Sequence, residues 1–146
     1  MYRHNRINKS KRELGLEFEK YPVGAIYTIS ANVCLKEDLA LRFRVGGNFA
    51  DRGDKSGLND SEIAKGCGLS GGTVKYFRSG KGAIAAGFLT DFWFMKTKWR
   101  DGTLNGSTTN LVVQPWISSG YIYHFSNLFN TGVIVGFGRE INTFNK

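Results

Sequence analysis

The stretch His124-Phe125-Ser126-Asn127 carries an imidazole, a hydroxyl and an amide within four residues, and Glu140 follows further along the chain. The same four residues also read as a strand running into a turn, because serine and asparagine bond their own backbone there; this is the preferred reading. Arg42 and Arg44 share one face of an extended chain, where they can hold an anion or pair with Glu17, Glu19 or Glu140. Cys34 and Cys67 are too few for a disulfide framework, and with His4 and His124 they match no zinc spacing, so no metal and no cofactor is expected. Gly71-Gly72 and Gly80-Lys81-Gly82 introduce no helix and read as turn glycines rather than a phosphate cradle.

The elements that must position these groups are strands. Period-two alternation recurs through most of the 146 residues, and 19 glycines with only 2 prolines suit strands and tight turns. Leu14, Leu16 and Phe18 alternate with Glu13, Gly15, Glu17 and Glu19. Ala25, Tyr27, Ile29, Ala31, Val33 and Leu35 share the next apolar face. Leu39, Leu41, Phe43, Val45 and Phe49 oppose Ala40, Arg42, Arg44, Gly46 and Asn48. Further strands are expected over 72–78, 83–99, 110–125 and 131–142. Lys36-Glu37-Asp38 and Ser79-Gly80-Lys81-Gly82 are short connections, whereas 51–70 and 100–109 read as long polar loops. Tight turns thus gather at one end of a meander and long loops at the other. Seven strands are counted, so an eighth is expected either within the opening residues or outside this chain.

One domain accounts for the length: a basic flexible arm over 1–11 and a barrel over 12–146. Much of the +8 net charge lies in that arm, which is read as solvated, and no nucleic-acid partner is expected. The opening lacks the apolar core of a secretory signal, which fits either a protein kept inside the cell or a mature form. No stretch offers the roughly 20 apolar residues of a spanning helix, so a membrane would be crossed by strands. The polar face carries charges of both signs, with Glu17, Glu19, Arg42, Arg44, Asp91 and Glu140 as an expected lumen network, and it is rich in small residues that leave room for them. Aromatic residues toward strand ends suit interfacial girdles.

The phrases Ala31-Asn32-Val33-Cys34-Leu35 with Leu39-Ala40-Leu41-Arg42-Phe43, and Gly120-Tyr121-Ile122-Tyr123-His124-Phe125 with Gly132-Val133-Ile134-Val135-Gly136-Phe137-Gly138, resemble the small outer-membrane β-barrel proteins of Gram-negative bacteria, the OmpA-like or opacity-type eight-stranded group. The resemblance covers residues 12–143 by pattern. It implies an all-β antiparallel up-and-down barrel of about eight strands, transmembrane in type, in the bacterial outer membrane, with no catalysis. Leu39, Leu41, Phe43, Val45, Val133, Val135 and Phe137 would then face the bilayer. Partners would be the lipid bilayer, lipopolysaccharide and an extracellular partner meeting loops 51–70 and 100–109, in a structural, adhesive or surface-interaction role. The sequence departs from that group in ending Phe144-Asn145-Lys146, without a terminal aromatic residue. Two alternatives stand beside it. A soluble lipocalin-like barrel would turn the apolar face inward around an apolar ligand. A lipid A deacylase-like hydrolase would use His124 to activate Ser126, with Glu140 in the role of the carboxylate that orients the imidazole, since those enzymes look similar in their His-x-Ser-Asn stretch.

Overall fold

The computed structural model describes residues 12–53, 59–125 and 130–145, and there the chain is all β. The strands follow in order as β1 (Arg12–Tyr21), β2 (Gly24–Cys34), β3 (Leu39–Gly53), β4 (Ser61–Ser79), β5 (Gly82–Asp101), β6 (Leu104–His124), β7 (Asn130–Gly138) and β8 (Ile141–Asn145). Each pairs antiparallel with the next from β1 to β7, and β8 returns to β6 beside β7. The break at Arg139-Glu140 therefore splits one long strand, and eight segments fill seven ladder positions. Among the described residues no ladder joins β1 to β7 or β8, so both are edges. The all-β antiparallel meander expected from alternation is what the chain forms. The arm over 1–11 lies outside the described residues.

The sheet is strongly curled into a half-barrel. Four ladder steps of ~4.8 Å would separate β3 from β7 by ~19 Å in a flat sheet, yet Arg52 at the end of β3 meets Glu140 at 2.6 Å. Curvature is helped by glycines among the concave positions that let large side chains lie flat. At Gly68 an added Cβ would run into the Trp93 ring and the Phe92 carbonyl, so the missing side chain is what lets Trp93 lie buried against β4.

Register converts alternation into faces. On the convex side, Leu16, Ile29, Val45, Leu69, Phe92, Val113 and Ile141 occupy a single row across all seven ladder positions. Leu16 is 86% exposed and Phe137, on the same side, 80%. The residues expected to face a bilayer are all convex, with Phe43, Val45, Val133, Val135 and Phe137 exposed and Leu39 and Leu41 half-buried. The soluble alternative needed the opposite curl, with these side chains inside around an apolar ligand. The charged face is concave instead.

Two long loops were expected, and the structure corrects both. β3 runs on to Gly53 and β4 begins at Ser61, so most of 51–70 is strand, and 54–58 lie outside the described residues. β5 and β6 meet across Gly102-Thr103 alone, so 100–109 is a projecting hairpin and not a loop. Gly102 has φ +56° and Gly80, in the matching turn between β4 and β5, +61°. A glycine at positive φ in the first central position is the signature of a two-residue hairpin whose twist continues the strands. Asn105, Ser107 and Thr109 hid this strand because no apolar face marks it. Its order comes from pairing with Arg100, Lys98 and Lys96 on β5, not from burial.

Candidate functional site

The concave face carries the most chemistry-bearing cluster. Strands β1 and β3 flank β2, and the curl swings their alternate side chains toward each other above its small residues. Arg44, only 3% exposed, lies against both Glu17 (3.4 Å) and Glu19, while Arg42 lies 3.8 Å from Glu17. Arg42 also donates from Nε to Asn32 Oδ1 at 2.9 Å, and Asn32 donates from Nδ2 to Glu13 Oε2 at 3.3 Å. Each guanidinium is thus bracketed by carboxylates from a strand two positions away. Arg44 is held chiefly by charge, since none of its nitrogens makes a well-directed hydrogen bond among the described residues.

Trp116 on β6 extends the cluster across the cavity. Its indole Nε1–H donates to Asp91 Oδ1 at 3.0 Å, and the Arg44 guanidinium carbon sits 5.1 Å above its ring. Asp91 is 2% exposed, so that hydrogen bond supports a carboxylate otherwise removed from water. Gly136 on β7 makes room for the ring, where an added Cβ would strike it, and Gly138 leaves room for the Trp116 Cβ and the Pro115 carbonyl. A cavity of about 930 Å³ runs beside these groups, lined by the carboxylates of β1 and by Trp116, Gln114 and Asn142.

Five of the six expected network residues come together here, and the sixth does not. Glu140 pairs with Arg52 at 2.6 Å, near the end of the sheet that carries the Gly102 hairpin. Arg52 also approaches Glu62 at 3.9 Å, and Asn59 donates to Glu62 at 2.6 Å. This second cluster was missed because Arg52 and Glu62 were read as loop. The signal was present, since Arg52 continues the even-numbered series Arg42, Arg44 and Asn48 on the concave face. Asn32 and Trp116 were missed as network members too, although each shares its alternation phase with a charged or polar partner.

The hydrolytic reading loses its third member. Glu140 lies beside Pro115, whose carbonyl accepts from the Arg139 N–H, while His124 ends β6 nine residues further on, ~30 Å along a strand. Ser126 and Asn127 lie outside the described residues. Among the described residues no group of three or more histidine, cysteine or acidic side chains is placed to hold a metal ion. Among the described residues, Arg42, Arg44 and Arg52 of the concave face are paired with its carboxylates. No protein-family model, curated protein or solved structure matches this chain.

Proposed function

We propose that this chain is a small β-barrel protein of the bacterial outer membrane, with a structural or surface-interaction role and an interior plugged by its own charges. One observation carries the reading: on the convex side of β4 no Asp, Glu, Lys or Arg occurs between Lys65 and Lys75. Ten residues at ~3.3 Å span ~33 Å, or ~25 Å once the strand tilts by ~40°, the height of the apolar band of such barrels. The convex positions of β5 and β6 repeat the pattern, running from Ile84 to Phe94 and from Leu111 to Phe125 without a charge. Exposed apolar side chains in a continuous row across every strand are costly in water and favourable against acyl chains. A concave face of paired arginines and carboxylates suits a polar interior.

In a bilayer the edges of β1 and β7 require a partner, because unpaired backbone groups have no water there. Both edges run in the same direction, so a single further strand between them is antiparallel to each and gives an even count. The end bearing the Gly102 hairpin would face outward, and that hairpin with the segment around Asp51–Gly53 replaces the expected loops as the surface for an extracellular partner.

The full chain, refolded in detergent micelles, should give a β-type circular dichroism spectrum and migrate differently with and without boiling. In phosphatidylcholine vesicles its strands should resist added protease. A chain that stays monomeric and folded without detergent would sink the reading.

A further inference from the structure

Beyond the apolar rows, the convex face changes character abruptly. The register row after Phe18, Tyr27 and Phe94 holds Lys20, Ala25, Phe49, Lys65, Lys96 and Thr109. Lys65 and Lys96 are direct cross-strand partners, and Lys98 and Arg100 follow at alternate positions of β5. Like charges placed directly opposite repel, and the ladder brings their Cβ atoms to ~5 Å. Lys65 leans over the Phe49 ring at 5.2 Å, which relieves part of the repulsion. Asp51, opposite Ile63 in the ladder, accepts from the Gly53 N–H at 3.2 Å, and Asp60, which precedes Ser61, accepts from the Gly102 N–H at 2.8 Å, so both carboxylates are engaged by backbone. The four cations line a groove of about 580 Å³ with Ser61, Ile63 and Trp99, and the positions that precede Lys96 on the same side of β5 are Phe94 and Phe92.

We propose that this groove binds the phosphate headgroup of an anionic membrane lipid whose acyl chains lie along the belt. The inference rests on the membrane reading above and deepens it by naming the lipid chemistry and its seat. A phosphate monoester between Lys65, Lys96 and Lys98 replaces their mutual repulsion with charge-assisted hydrogen bonds, and Arg100 offers a guanidinium fork at the outer rim. The adjoining apolar rows hold the chains, so the site recognises both halves of the molecule. A free phosphate would meet only the first half.

The test uses the full chain in mixed micelles of phosphatidylcholine and phosphatidic acid, with retained lipids counted by native mass spectrometry. Phosphatidic acid should be enriched about tenfold over its mole fraction, as expected for several basic residues each attracting an anionic headgroup. The combined change Lys65→Gln, Lys96→Gln, Lys98→Gln should abolish the enrichment, and the corresponding arginine variant should keep it. Lys36→Gln with Lys81→Gln, at the opposite end of the sheet, should leave it unchanged. Loss in that control, or enrichment that survives the triple glutamine change, overturns the site. So does displacement of the lipid by millimolar inorganic phosphate, which would make free phosphate the occupant. Insertion into vesicles without enrichment overturns the lipid site alone. A chain that never inserts overturns the proposed function and the site with it.

Discussion

On the convex face one register row reads Leu16, Ile29, Val45, Leu69, Phe92 and Val113, and one residue away along the same strands the concave row reads Gly15, Ser30, Arg44, Ser70, Asp91 and Gln114. The two rows share backbone, register and strand length, yet one excludes every polar side chain and the other every large apolar one. A slip of one residue in any ladder would send Arg44 or Asp91 to the convex side and Val45 or Phe92 into the charged interior. The contrast therefore does more than describe two surfaces. It specifies the pairing, because only one register keeps both rows uniform.

The contrast is broken most severely by placing a charge in the apolar row. Val45→Arg should destabilise the vesicle-folded chain by about 3 kcal/mol, measured by urea titration in phosphatidylcholine vesicles, since a midplane cation on the lipid face costs this much. An effect below a few tenths would mean that Val45 does not contact lipid. Next comes removal of a charge from the concave row. Arg44→Met leaves Glu19 without its arginine and Glu17 with Arg42 alone, and should cost about 2 kcal/mol in the same titration, less than a wholly buried pair because both carboxylates retain some exposure. If Arg44→Met were instead stabilising, the interior would be better described as water-filled and self-screening.

Smaller changes sharpen the picture. Trp116→Phe keeps a ring over Gly136 but removes the Asp91 hydrogen bond, with an expected loss of about 1.5 kcal/mol. Pairing Trp116→Phe with Asp91→Asn in a double-mutant cycle should recover much of that loss, and full additivity would show the two groups act independently. The least effect is expected at Lys75→Gln. Its 3.7 Å contact with Asp38 is half-exposed at the end of the belt, and its removal should shift stability by less than about 0.5 kcal/mol.

Much of this architecture was legible in the residues. Alternation located β1, β2, β3, β5 and β7 closely, and Lys36-Glu37-Asp38 and Gly80-Lys81 marked their turns. What alternation could not mark was strand without an apolar face. Asn105, Ser107 and Thr109 carry no burial signal, so their strand existed only as the partner of β5. In Ser61–Ser70 the signal was diluted, with Ile63 and Leu69 separated by Lys65 and Cys67. Within the site, Arg42, Arg44, Glu17 and Glu19 lie within contact of one another, and alternation could group them because each lies on the face opposite the leucines. Glu140 was grouped with them by phase alone, and phase does not say which arginine lies within reach.

The sequence by itself determined that each strand has one apolar and one polar face, since a period of two leaves no other choice for an extended chain. It did not determine which face would be concave, because alternation reads the same whichever way a sheet bends. Tertiary structure decided that. Gly68 against the Trp93 ring and Gly136 against the Trp116 ring leave room for the sheet to curl toward its charged face. That closure brought Arg44 under Trp116, sent Glu140 to Arg52, and left the leucine row outside.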